Sequence, residues 1–349
     1  MPKSKSKPKK QINLALQGGG AHGAFTWGVL DRLLEDDRLE IAAMTGTSAG
    51  ALNGAAVKSG MLEDGNAGAR AKLDWLWAQI GATKSSHLHG WMQGLTPGAV
   101  SHAVEASPFY QTLDFMSRMS TPYMLGPLYA HPLEPIVSQF NFDEVCAADG
   151  PELFVCATNV RSGKIRIFNR ADTTTDAILA SGCLPTLFKA VEIHDPKTGR
   201  DEAYWDGGYM GNPALFPLFE PHLPQDVVIV NINPLYREEL PRKATDIQNR
   251  INEISFNGSL FRELRAIQFV RDLIADGKVT QGSMKDVLVH MVSDDALMTQ
   301  LSVATKTLPT PYVLAELKSA GRIAASHFLE AHFDDLGASS TVDLRTMFD

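Results

Sequence analysis

Apolar residues along this chain recur with two different periods. Residues 12–16 (Ile-Asn-Leu-Ala-Leu) form a short, mostly apolar run that stops at three glycines, which predicts a buried strand. Phe25, Val29 and Leu33 then recur every fourth residue, which predicts a helix over 21–35. Residues 41–45 read as a second strand, and the small side chains of 49–58 as a helix suited to close packing. This alternation of strand and helix within sixty residues predicts an α/β layer structure around a parallel sheet. Residues 73–80 complete an amphipathic helix, whereas 82–135 are rich in Gly, Pro, Met and aromatics and hold no sustained period. Residues 152–160 and 164–168, joined by Arg161-Ser162-Gly163, predict a hairpin. A short helix follows over 175–181, closed by Gly182, and 203–205 lead into Asp206-Gly207-Gly208. The β-branched run 226–232 predicts a central strand. Residues 245–275 carry a long helical pattern with apolar Ile247, Ile251, Ile254, Leu260, Leu264, Ile267, Val270 and Ile274. A further strand over 287–292 and a closing helix over 312–333 complete the pattern.

Composition narrows the class. Of 349 residues, 44% are hydrophobic and 21% charged, the balance of a globular chain with enough length for one large domain or two smaller ones. Charge is unevenly placed. Five lysines (Lys3, Lys5, Lys7, Lys9, Lys10) lie in the first ten residues with no acid among them. The remaining 339 residues hold 27 basic against 40 acidic side chains, a charge of −13, which argues against a nucleic-acid-binding body. Residues 1–10 are expected to be a disordered basic tail, with order beginning at Gln11. Cys146, Cys156 and Cys183 are too few and too irregular for a disulfide framework or a zinc site; Cys146 and Cys156 read as buried free thiols. No apolar run reaches the length of a transmembrane helix and no signal segment is evident, so the expected location is cytoplasmic.

Three motifs carry candidate chemistry. Gly18-Gly19-Gly20-Ala21-His22-Gly23 lies between a strand and a helix. It matches the dinucleotide fingerprint, with Glu40 as the matching acid, but the same loop suits any anion, including the oxyanion of a tetrahedral intermediate. Gly46-Thr47-Ser48-Ala49-Gly50 follows the second strand and opens a helix, the setting of a nucleophile elbow. Asp206-Gly207-Gly208 is delivered by an apolar strand and offers a carboxylate to a nucleophilic serine; taken alone it is equally a plain turn. His22 and His194 accompany motifs and read as solvated or locally bonded imidazoles. A nucleotide-binding protein built on the glycine loop, a histidine-based hydrolase using His222, His290 or His327, and a non-catalytic scaffold stay open on spacing alone.

Together the motifs resemble the patatin-like phospholipases. The glycine loop near the N-terminus, Ser48 twenty-eight residues after Gly20, and Asp206 158 residues after Ser48 carry the resemblance. The run Ala180-Ser181-Gly182-Cys183-Leu184-Pro185, Val191-Glu192-Ile193 and Asn212-Pro213 extends it to roughly residues 12–232. The resemblance implies a three-layer α/β/α fold with a mostly parallel sheet. It implies a catalytic domain over 11–232; residues 233–349 lie largely outside the resemblance and are expected to be a helical extension packed on the same domain. It also implies a Ser48–Asp206 dyad, with Ser48 as nucleophile and Asp206 as general base. Gly19, Gly20 and Ala21 would form the oxyanion hole, and Gly18, Gly23, Gly46, Gly50, Gly207 and Gly208 would be the motif glycines. The implied activity is lipid acyl-ester hydrolysis through an acyl-enzyme, with no metal and no cofactor, or carboxylesterase or thioesterase action on the same fold. The sequence departs at His22, where the family usually carries Arg or Lys. The Met and aromatic residues of 91–129 (Trp91, Met92, Leu95, Phe109, Tyr110, Phe115, Met116, Met119, Tyr123, Met124, Leu128, Tyr129) suit an adaptable acyl pocket or ordinary core. The basic tail suits a peripheral contact with anionic membrane.

Overall fold

A computed structural model describes residues 8–81, 96–280 and 282–348. Eight strands form one sheet: β1 Lys10–Leu16, β2 Leu39–Gly46, β3 Glu152–Asn159, β4 Ile165–Asn169, β5 Val191–Asp195, β6 Arg200–Asp206, β7 Asp226–Val230 and β8 Leu288–Val292. Their order is β5-β6-β3-β2-β1-β7-β8, with β4 paired to β3 off this path. The helices used below are α1 Gly23–Leu33, α2 Ala49–Gly81, α3 Pro97–Glu105, α4 Pro108–Met119, α5 Thr175–Ser181, α6 Ala244–Ala275, α7 Val303–Thr307 and α8 Pro311–His332. α2 is two helices joined across a kink at Asp64 and Gly65.

The sheet is parallel through β3, β2, β1, β7 and β8, and the strand ends are in register. Leu16 pairs with Gly46 and with Val230, Gly46 with Val155, and Val230 with Val292. β7 is buried at every position and apolar after Asp226, as a strand covered on both faces must be. Alternation along β1 sends Ile12, Leu14 and Leu16 into a core shared with α1, the first part of α2 and α8. Ala15 joins Val227, Ile229 and Val289 in a second core under Leu260, Leu264 and Ile267 of α6. The result is the three-layer α/β/α arrangement.

Local signals explain the element starts. Side chains of Thr96, Ser107, Thr174 and Thr310 accept hydrogen bonds from the first turns of α3, α4, α5 and α8, and three of those helices begin on proline. α1 and α8 approach to backbone contact. A Cβ on Gly28 would lie 2.0 Å from the Lys318 carbonyl oxygen, and one on Gly321 would lie 2.1 Å from that of Phe25. Asp31, buried on α1, bonds Arg70 of α2 at 2.7 Å and also Arg322 of α8. The chain beyond β7 is thereby drawn over the start of the fold.

Several expectations need correction. Strand β1 begins at Lys10, and Lys10 is no part of a free tail: its Nζ donates to the carbonyls of Phe333, Asp334 and Leu336 at 2.7–3.2 Å. Strand β5 was not expected; the alternation Val-Glu-Ile-His-Asp forms it by pairing with β6, and His194 lies on it, bonded to Asp201. Ile247, Ile251 and Ile254 of α6 are exposed, because only the later part of that helix lies over the sheet. Cys146 is half-buried and Cys156 and Cys183 are buried; all three are free thiols. Phe109, Phe115, Met116, Met119, Tyr123 and Met124 are exposed, Met124 to 76%, so they line no enclosed acyl pocket. Tyr110 is buried. Trp91, Met92 and Leu95 lie outside the described residues, as do Lys3, Lys5 and Lys7. No helix among the described residues is long and apolar enough to cross a membrane.

Candidate active site

The carboxyl ends of β1 and β2 lie side by side, and the chain turns sharply after each. After β2, Gly46 and Thr47 lead to Ser48, whose φ of 54° is in the left-handed region that a serine seldom adopts. That conformation is a local strain of about 1–3 kcal/mol, the kind that persists only where surrounding structure enforces it. The enforcement is visible. Thr47 Oγ1 donates to the Gly211 carbonyl at 2.7 Å, the Ser48 N–H donates to Ser181 Oγ at 2.9 Å, and α2 starts at the next residue. Gly50 must lack a side chain, since a Cβ there would lie 2.1 Å from the Leu16 carbonyl oxygen. Ser48 is half-buried, so the residue is not sealed from solvent.

Strand β6 runs antiparallel to β3 and pairs Asp206 with Ala157, two residues past the Val155–Gly46 pair. This delivers the carboxylate to the level of Ser48. The Asp206 N–H donates to the Cys183 carbonyl at 2.8 Å, and Thr158 Oγ1 donates to the Asp206 carbonyl at 2.9 Å. The carboxylate accepts from the Gly208 N–H at 2.7 Å and from the Ser48 hydroxyl. Burial dominates its electrostatics: desolvation pushes the carboxyl up to about 7, and the two hydrogen bonds only partly oppose this. Gly207 leaves room for the close approach to β3, where a Cβ would lie 2.2 Å from the Cys156 carbonyl oxygen.

The glycine loop after β1 packs on the same turn. A Cβ on Gly18 would lie 2.8 Å from Ser48 Cβ. Gly18 is tied on both sides: its N–H donates to Asn212 Oδ1 at 2.6 Å, and its carbonyl accepts from Asn233 Nδ2 at 2.7 Å. Gln17 Oε1 accepts from the N–H groups of Ile232 and Asn233 at 2.8 and 3.0 Å. Gly20 has φ +59°, open to glycine and poor for any other residue. Among the described residues the N–H groups of Gly19 and Gly20 form no hydrogen bond, although Gly19 is buried. Two backbone donors beside a serine hydroxyl suit an oxyanion.

The structure therefore brings together Ser48, Asp206, Gly18, Gly19, Gly20, Gly46, Gly50, Gly207 and Gly208. Gly23 opens α1, where a Cβ would meet Ala49 Cβ at 2.6 Å. His22, expected to be solvated or locally bonded, is neither. It is buried, its Nε2 lies 2.9 Å from Thr305 Oγ1, and desolvation with nearby Lys306 and Arg237 holds its pKa well below 6.5. Asn212, Asn233, Gln17 and Lys306 were missed as site residues. Asn212-Pro213 lies close after Asp206 and offered a signal; the others offered none.

The dinucleotide reading and two of the three candidate histidine bases lose their geometry. Glu40 sits near the amino end of β2, bonded to Gln11, far along the strand from the loop a dinucleotide would need it beside. His222 pairs with Glu152 at the amino end of β3, and buried His290 with Asp226 at the amino end of β7, so neither stands at the serine's end of the sheet.

A search of curated proteins finds no match. Among solved structures the chain is similar to VipD from Legionella pneumophila (14% identity, TM-score 0.43), covering 94% of this chain and 68% of that one. It is also similar to ExoU bound to SpcU from the type III secretion system of Pseudomonas aeruginosa (16% identity, TM-score 0.31), covering 93% of this chain and 54% of that one. The patatin-like phospholipase profile matches residues 14–219, a stretch that includes the glycine loop, Ser48 and Asp206. With more than half its length matched, the chain belongs to the patatin-like phospholipase family.

Proposed function

We propose that the chain is a lipid acyl hydrolase that cleaves carboxylic ester bonds of phospholipids or other lipids through an acyl-enzyme on Ser48. Family membership supports hydrolysis of lipids. The observation that carries the finer reading is the Ser48 hydroxyl, presented on strained backbone and bonded to the carboxylate of buried Asp206, which desolvation pushes up to about 7. A base poised near the working pH is well matched to taking a proton from serine and returning it.

In this reading Asp206 accepts the Ser48 proton as Oγ attacks the ester carbonyl. The Gly19 and Gly20 N–H groups, with Ala21, hold the resulting oxyanion. The intermediate collapses to the acyl-enzyme, and the protonated Asp206 gives its proton to the departing alcohol oxygen. Asp206 then takes a proton from water, which attacks the acyl carbonyl; collapse releases the fatty acid and returns the proton to Ser48. The N-terminus of α2 favours the negative charge that develops at each stage.

We assign a role in membrane attraction to the remaining tail lysines (Lys3, Lys5, Lys7 and Lys9), with Lys10 excluded by its structural bonds. A peripheral place on anionic membrane inside the cell fits this reading. The test is a panel of phospholipid vesicles, triacylglycerol emulsion, acyl-thioester and soluble ester assayed with wild type and Ser48→Ala. Release of fatty acid from the lipids, abolished in the variant, is expected. Turnover of the soluble ester or thioester alone would replace the lipid hydrolase by an esterase or thioesterase. Full activity of the variant would overturn the Ser48 assignment.

A further inference from the structure

The glycine loop is braced from behind by a short helix that lies beyond residues 14–219. The carbonyl oxygen of Lys306 in α7 is 2.4 Å from where a Gly20 Cβ would sit, and Thr305 holds His22. His22 is the loop's one ionisable side chain, and burial keeps it neutral, so the loop itself supplies no positive charge. Lys306 does. Its Nζ donates to Asn233 Oδ1 at 3.2 Å, and the same amide donates from Nδ2 to the Gly18 carbonyl at 2.7 Å. Asn233 Oδ1 is in turn 3.7 Å from where a Gly19 Cβ would lie, which places the ammonium within about 7 Å of that position. The acid that acts on Lys306, Glu253, is already bonded to Arg237 at 2.8 Å and to Arg250 at 3.3 Å. The cluster behind the loop is therefore net positive.

We infer that Lys306 is a positioning residue for the Ser48 reaction. Through Asn233 it fixes and polarises the Gly18–Gly20 backbone, and it sets a poorly solvated positive charge behind the donors that face the oxyanion. It does not touch the substrate. The inference rests on the hydrolase reading above. At an effective dielectric constant near 20 and a separation of about 10 Å, such a charge is worth on the order of tenfold in rate. Developing negative charge is stabilised more than the neutral ester, so the effect falls on kcat and not on KM.

The experiment compares wild type with Lys306→Met, Lys306→Gln and Lys306→Arg. It measures kcat and KM on p-nitrophenyl butyrate and the second-order rate of fluorophosphonate labelling. Met and Gln should each lower kcat and the labelling rate about tenfold with KM within about twofold, and Arg should restore most of both. Gln keeps a donor for Asn233, so it carries the test should the Met variant fail to fold. Uncharged variants at wild-type rates, or an Arg variant as slow as Gln, would overturn the inference and leave Lys306 a packing residue. A wild-type chain that takes no label would overturn the hydrolase reading and this inference with it; a labelled wild type with unaffected variants overturns this inference alone.

Discussion

Replacing Gly20 by alanine probes the oxyanion loop without touching Ser48 or Asp206. Gly20 has φ +59°, where an L-residue is disfavoured by about 1–2 kcal/mol. The added Cβ would also stand 2.4 Å from the Lys306 carbonyl oxygen, roughly 1 Å closer than ordinary contact, and that oxygen belongs to backbone that cannot rotate away. The loop must therefore shift by about 1 Å, a displacement that can lower a rate about a hundredfold when it moves a catalytic donor. The strain should lower stability by about 2–4 kcal/mol. For a chain of 349 residues the unfolding entropy is about 0.7 kcal/mol per kelvin, so the thermal midpoint should fall by about 3–6 °C. The assay is kcat on a short soluble ester, which removes interfacial binding from the readout, alongside thermal unfolding. Expected is a kcat about a hundredfold lower in a protein that still melts cooperatively. A kcat within about threefold of wild type would show that Gly19 and Gly20 do not hold the oxyanion.

Further expectations follow from the same geometry. Asp206→Asn should lower kcat by several orders of magnitude, since an amide takes no proton; near-normal turnover would remove Asp206 from the chemistry. Because the folded carboxyl is raised from 3.8 to about 7, wild-type kcat/KM should fall about tenfold per pH unit below 7; a flat profile down to pH 5 would contradict a basic Asp206. The same raised pKa means that the folded state holds a proton the unfolded state has lost. Its stabilisation is complete below about 4 and lost as pH rises to 7, at about 1.4 kcal/mol per unit. Asp206→Asn should therefore melt a few degrees above wild type at pH 8, and a lower midpoint would argue against a desolvated carboxylate. Removing residues 1–9 should weaken binding to anionic vesicles and leave soluble-ester turnover intact; unchanged vesicle binding would assign the tail no membrane role.

Much of the sheet was legible because its signals are local. The runs at 12–16, 41–45 and 226–232 are apolar enough to mark buried strands, and glycines mark where two of them turn. Strand β5 was not legible because its partner, β6, supplies the ladder that the polar turn after His194 obscured. The α6 pattern misled in a different way: periodicity reports a helical face, and Ile247, Ile251 and Ile254 lie where that face has run past the sheet. At the site, Ser48 was marked by its tight turn and Asp206 by its strand. Asn233 and Lys306 were invisible because they reach the glycine loop from 215 and 286 residues beyond Gly18 and Gly20, through β7 and α7. The burial of His22 was equally hidden, since Thr305 covers it only in the folded chain.

The central claim is that Ser48 forms the covalent intermediate. Purified wild-type protein incubated with a fluorophosphonate, digested and sequenced by mass spectrometry, should carry a single phosphonyl group on the peptide containing Gly46-Thr47-Ser48-Ala49-Gly50, and Asp206→Asn should label far more slowly. Absence of the adduct on Ser48 in protein that is hydrolysing ester, or its appearance on another residue, would contradict the account.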